Sequence, residues 1–170
     1  GKLKDVRAVK SLIDALHDEN ERVRRYAALA LGEIGHRPSA KALKHLLTDP
    51  TQDVRFSAVK AVASIGGPEA LEPLTTALTD TDWVVRLTAA QGLGDLGDPT
   101  CVPLLCECLK DPEWSVRFHV VSALGKIGER SAVIPLIKAL GNDKVAVRKN
   151  VILALGALRD PRARPALTRY

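Results

Sequence analysis

What this sequence lacks narrows its reading first. Methionine is absent and the chain opens on Gly1, so it reads as a trimmed piece of a protein. No apolar run approaches the ~18 residues that would cross a bilayer, which excludes a membrane-spanning helix. No basic segment followed by an apolar core marks a signal peptide. Cysteine occurs three times, at Cys101, Cys106 and Cys108. An odd count in a chain of this size does not suggest a disulfide scaffold. The C-x4-C-x-C spacing lacks the paired knuckles of a zinc site, and no His lies close by, so no metal is expected. Cysteine used as a reduced, small side chain points to a reducing compartment, the cytoplasm. Strand-like alternation of apolar and polar residues does not occur, so no sheet is expected. Aromatic residues are scarce, two each of Trp, Tyr and Phe, so the place of each one carries information.

The formal charge is +5, which raises the question of nucleic acid. Its location answers against it. Lys2, Lys4, Arg7 and Lys10 crowd the first ten residues, and Arg159, Arg162, Arg164 and Arg169 crowd the last twelve. The body between them is close to neutral. A protein that tracks phosphates lines one long face with cations. Nucleic-acid binding through the basic ends is therefore the weaker alternative.

What is present is a repeat. Val-Arg recurs at Val23-Arg24, Val54-Arg55, Val85-Arg86, Val116-Arg117 and Val147-Arg148, every step being 31 residues. Leu12, Leu43, Leu74, Leu105 and Leu136 keep the same step, as do Ile34, Ile65, Leu96, Ile127 and Leu158. Gly35, Gly66, Gly97 and Gly128 form a further column that Arg159 breaks. Each period reads as two helices. In the third, Leu71, Leu74 and Leu78 have helical spacing, Asp80-Thr81-Asp82 breaks it, and a second helix runs from about Trp83 to Leu96. The column glycines mark helix ends. Asp49-Pro50 and Asp111-Pro112 read as an N-cap followed by proline at the first helical position. Pro68, Pro99 and Pro161 open the next first helices in the same way. A hairpin this small buries its apolar face only by stacking on neighbours.

The segments Ala132-Val133-Ile134-Pro135-Leu136-Ile137-Lys138-Ala139-Leu140 and Val23-Arg24-Arg25-Tyr26-Ala27-Ala28-Leu29-Ala30-Leu31-Gly32-Glu33-Ile34-Gly35 carry a family pattern. They resemble the two helices of the HEAT-like repeat of the phycobilin-lyase (PBS lyase) type. The resemblance covers roughly residues 5–165. It implies an all-α, right-handed α-solenoid. The expected organisation is a single domain of five repeats, at about 5–35, 36–66, 67–97, 98–128 and 129–159, with a partial sixth at 160–170.

Constant columns are expected to serve structure. Arg24, Arg55, Arg86, Arg117 and Arg148 form the only charged column kept throughout. Six residues before the first four stand Asp18, Asp49, Asp80 and Asp111, with Asn142 before the fifth. Arginine and carboxylate at this spacing can pair within a repeat or with the next, and the resemblance implies the same ladder. Cys101 aligns with Ala8, Ser39, Ala70 and Ala132, and Cys108 with Ala15, Leu46, Ala77 and Ala139, so both are expected to be buried.

Varying columns are where a partner could be read. Tyr26, Phe56, Trp83, Trp114 and Phe118, all the aromatics but Tyr170, lie there on the second helices. Leu87, His119 and Lys149 share the face. The resemblance puts it on the concave side. Helices packed about 10 Å apart would join Trp83 and Trp114 into one apolar strip. Charges around it nearly balance, which suits a protein segment better than a phosphate backbone. Exposed Trp and Tyr are common interface anchors.

No catalytic residue or cofactor is expected. The HEAT-repeat hydroxylase that holds two irons uses His-Glu pairs, and none of His17, His36, His45 and His119 precedes a Glu. Gly-x-Ser-x-Gly and phosphate-loop motifs are missing. The expected function is a non-catalytic scaffold that binds another protein. The alternative is a phycobilin lyase-like subunit handling a linear tetrapyrrole, with a bilin or phycobiliprotein as its partner. A consensus-designed array fits less well, because Val120-Val121 and Val151-Ile152 replace the Ala-Ala pair.

Overall fold

The computed structural model describes residues 8–169. Lys2, Lys4, Arg7 and Tyr170 lie outside the described residues. Among those described, every regular element is a helix. The short first helices are α1 (Val9–Ala15), α3 (Ser39–Leu43), α5 (Leu71–Ala77), α7 (Val102–Cys108) and α9 (Val133–Ala139). They alternate with α2 (Glu21–Ile34), α4 (Gln52–Ile65), α6 (Trp83–Leu96), α8 (Trp114–Ile127) and α10 (Val145–Leu158), and a short α11 (Arg164–Leu167) follows. No helix among the described residues is long and apolar enough to cross a membrane.

Helix starts differ from the expectation in two ways. Pro68, Pro99 and Pro161 each begin a 3-10 turn that leads into the first helix, rather than the α-helix itself. The dipeptides Asp49-Pro50 and Asp111-Pro112 are not the caps of α4 and α8, whose N-caps are Thr51 and Glu113. The aspartate instead folds the loop. Asp49 Oδ1 accepts from the Thr51 amide at 2.9 Å, and Asp111 Oδ1 accepts from the Glu113 amide at 2.9 Å. The helix starts only after this turn has closed.

Two compact units divide the chain, residues 1–92 and 93–170. In the first, α2 packs on α4, and Leu31, Leu43, Val54, Val59 and Leu74 are buried. In the second, α8 packs on α10, and Leu105, Leu124, Leu136 and Leu155 are buried. Each sealed leucine contributes roughly 1.5–3 kcal/mol. The repeat columns are therefore the core columns.

Glycine has a second use that the helix-end reading overlooks. Gly32, Gly92, Gly94 and Gly125 lie inside second helices, each facing an alanine of a neighbouring helix. A Cβ on Gly32 would lie 2.8 Å from Ala61 Cα, and one on Gly94 would lie 2.8 Å from Ala123 Cα. Gly125 faces Ala154 less closely, a Cβ there falling 3.1 Å from Ala154 Cβ. Between α4 and α6 the roles exchange: Ala63 holds the glycine column, and Gly92 sits opposite it. Each crossing so formed pairs one glycine with one alanine, which lets the backbones approach.

The ends of the second helices need a left-handed residue. Gly35 supplies it at φ 72°, and Arg159 adopts it at φ 49° where the glycine column breaks. The backbone thus keeps the turn and places strain on a residue with a side chain.

Candidate binding faces and the arginine rungs

The arginine column is engaged within the chain. Arg24 donates through Nε and Nη2 to both oxygens of Asp49, at 2.7 and 3.1 Å, and through Nη1 to the carbonyls of Asp18 and Glu19. Arg55 repeats this with Asp80, at 2.8 and 3.1 Å. Each guanidinium ties its own loop to the carboxylate of the following hairpin. The Asp18 carboxylate, by contrast, accepts from the Asn20 amide. Arg86 donates to the carbonyls of Asp80 and Thr81. Arg148 donates to those of Asn142 and Asp143. Burial opposes ionisation of Asp49, yet the Arg24 guanidinium and the Thr51 amide outweigh it and hold the carboxyl below the usual range.

The Arg117 rung is built differently. Asn142 replaces the aspartate, and Arg117 Nη2 reaches the neighbouring Asp143 at 2.6 Å and Asn142 Oδ1 at 3.3 Å. Arg117 is 9% exposed, and its Nε is buried without a partner. One substitution has turned a two-pronged contact into a one-pronged one.

On the second helices of the first unit, Tyr26 is 60% and Trp83 45% exposed. Phe56 and Leu87 are half-buried. The Arg25 guanidinium lies over the Tyr26 ring, 4.8 Å from its centre, and also reaches Asp53 at 3.3 Å. A polar cleft of about 400 Å³ opens there, with Glu21, Arg22 and Thr51 also in its wall.

The corresponding face of the second unit exposes several large apolar side chains. Trp114 is 42%, Val145 54% and Leu153 71% exposed. Phe118 is half-buried and Lys149 exposed. His119 stands apart from these. Its Nδ1 bonds the Ser115 carbonyl at 2.9 Å and its ring meets Phe118 edge-on, so it is tied to its own helix. Asn150 donates to the Phe118 carbonyl and to Ser122 Oγ, both at 2.8 Å, and locks α10 to α8 beneath this face.

Of the cysteines, Cys101 is buried as expected, but Cys108 is only half-buried. Its column is sealed at Leu46 and Ala77 and half-open at Ala15 and Ala139, so cover there depends on the neighbouring helix. No group of His, Cys, Asp and Glu fit to hold a metal occurs among the described residues.

One feature of the second unit was not read from the sequence. A cleft of about 530 Å³ opens between α7 and α9, on the first helices. Cys106, Leu109, Ile134 and Pro135 line it, and burial pushes the Cys106 thiol up. The available signal was Ile134, an apolar residue in a column otherwise holding Lys10, Lys41, Glu72 and Pro103.

Comparison with known proteins bears on the fold and on this family of repeats. The family model described as HEAT repeats matches residues 9–86 and 71–146, and that described as PBS lyase HEAT-like repeat matches residues 147–170. No curated protein matches by sequence. Among solved structures, the complex of CpcE and CpcF of phycocyanin lyase from Nostoc sp. PCC7120 is 27% identical, with TM-score 0.70, covering 88% of this chain and 99% of that one. An engineered protein is 23% identical, with TM-score 0.66, over 95% of this chain and 84% of that one. A designed armadillo repeat protein in complex with the peptide (KR)4 is 22% identical, with TM-score 0.67, over 89% and 82%. The last two bear on the fold alone, an all-α solenoid of stacked hairpins.

Proposed function

The chain belongs to the HEAT-repeat family, and from that premise we propose that it is a non-catalytic scaffold that holds another protein on its second-helix faces. One observation carries this reading: large apolar side chains stand exposed on second helices whose core columns are buried. Trp83, Trp114, Val145 and Leu153 are each more than 40% exposed. Leaving such groups in water costs free energy that a partner would recover. The arginine rungs do not compete for the role, because their guanidiniums are engaged by the chain itself. The repeat neighbour of 27% identity supports it too, being solved as a complex of CpcE and CpcF.

The test is affinity capture by the parent chain and by a Trp83→Ala, Trp114→Ala double variant of unchanged helicity. Retention of one protein by the parent and its loss by the variant supports the reading. Equal retention by both refutes the aromatic faces.

A second reading follows from the 27% identity to the phycocyanin lyase complex over nearly all of that chain. In it, the chain is one half of a two-chain lyase that handles a linear tetrapyrrole, with the apolar second-helix face against the pigment. Mixing with phycocyanobilin would then shift its visible absorbance, and an unchanged spectrum would dismiss it.

A further inference from the structure

The cleft between α7 and α9 is explained by comparing it with the same repeat positions in the first unit. There, Lys44 and Glu72 bridge adjacent first helices by a salt bridge at 2.5 Å. Two repeats on, those positions are Cys106 and Ile134, neither of which can form an ion pair. Both line the cleft. Its floor is apolar, with Leu109 and Pro135 beside them.

A second pair of positions sets the charge. In the first unit His17 and His45 stack ring on ring, with centroids 4.2 Å apart. Three repeats on, those positions are Lys110 and Lys138, and both line the cleft. Positions that touch in one hairpin pair thus carry two ammonium groups in another. Both lysines are exposed, and neither has a carboxylate partner among the described residues. Glu107 also lines the cleft, so its three charges sum to a single positive one. Two like charges lining one cleft favour an anion there, and the surplus suits a monoanion.

We propose that the α7–α9 cleft binds a small amphipathic carboxylate, its apolar chain on Ile134 and Cys106 and its carboxylate between Lys110 and Lys138. The volume lies in the ordinary range for a small-molecule site, roughly 300–1,000 Å³. The site is on the first helices, so it is independent of the protein-binding faces proposed above.

The probe is sodium decanoate, titrated calorimetrically into the full chain below its micelle concentration, with 1-decanol and decyltrimethylammonium as neutral and cationic controls. Decanoate should bind one to one and more tightly than either control. A Lys110→Gln, Lys138→Gln variant should lose at least about tenfold in decanoate affinity, the worth of a charge-assisted contact, and keep its weak affinity for decanol. Ile134→Asp should abolish both. Both variants change exposed side chains, and circular dichroism checks their helicity. Alkylation of Cys106 by N-ethylmaleimide, located by peptide mass spectrometry, should slow with decanoate. Decanoate binding no tighter than decanol, full affinity in the lysine variant, or unprotected Cys106 would each overturn the proposal. So would an acidic, leucine-rich peptide that binds these lysines while decanoate does not.

Discussion

Alanine placed at three glycines of one repeat column should have opposite effects at Gly94 and Gly156. Gly94, Gly125 and Gly156 occupy the same helical position in α6, α8 and α10. Only their neighbours differ. A Cβ at Gly94 would meet Ala123 Cα at 2.8 Å and Cβ at 2.9 Å. At Gly125 it would meet Ala154 Cβ at 3.1 Å, and at Gly156 nothing lies within 4 Å. Carbon atoms prefer about 3.5–4.0 Å, so Gly94→Ala must push two backbones apart. Overpacking of this kind costs roughly 1–3 kcal/mol. Alanine returns up to ~1 kcal/mol of helix propensity at every position. Gly94→Ala should therefore destabilise by about 1 kcal/mol net, with Gly125→Ala near neutral. Gly156→Ala should stabilise by about 0.5 kcal/mol, because it lies in the last turn of α10. Urea unfolding followed at 222 nm reads the order directly. In thermal melts, 1 kcal/mol corresponds to about 2–4 °C for a chain of this size. If Gly94→Ala proved as stable as Gly156→Ala, the close-crossing argument would be wrong.

Three further outcomes follow from the rungs and caps. Asn142→Asp should stabilise the chain by about 1 kcal/mol at neutral pH, by giving the buried Arg117 Nε an acceptor; an unchanged urea midpoint would count against this. Arg159→Gly should raise stability by about 0.5–1 kcal/mol, since glycine takes the left-handed cap without steric cost, and the same assay checks it. Asp49 and Asp160 are both held below the ordinary carboxylate range, Asp49 by Arg24 and the Thr51 amide against its burial, Asp160 chiefly by Arg162. A depressed folded value means stabilisation that is complete above the unfolded value of ~3.9 and is lost as pH falls toward the folded one. The urea midpoint should therefore drop between pH 5 and pH 2.5, and more shallowly in Asp49→Asn; equal slopes would refute the assignment.

Much of the architecture was legible because the repeat displays it several times over. The leucine and valine columns gave the helix faces, and the break at Asp80-Thr81-Asp82 gave the start of α6 at Trp83. What escaped depended on contacts between repeats. An aspartate before a proline suits a cap, but Asp49 turns back onto the Thr51 amide and is held there by Arg24 of the preceding hairpin, so it is a loop residue. Glycine reads as a stop signal, so its role at Gly32 and Gly94 appears only when Ala61 and Ala123 stand opposite. Among the face residues, sequence spacing could not separate the outward Trp114 from His119, whose hydrogen bond turns it onto its own helix. The α7–α9 cleft was visible in principle at Ile134, but its meaning required knowing that Lys44 and Glu72 touch.

The most direct test of the scaffold account is photo-crosslinking from single positions. A benzophenone side chain would replace Trp83, Trp114 or Leu153 on the second helices, or exposed Lys41 or Leu104 on the first helices. The account predicts that one protein is captured from the native lysate by the second-helix positions and not by the first-helix ones. Capture of that protein only from Lys41 or Leu104, or from no position at all, would contradict it.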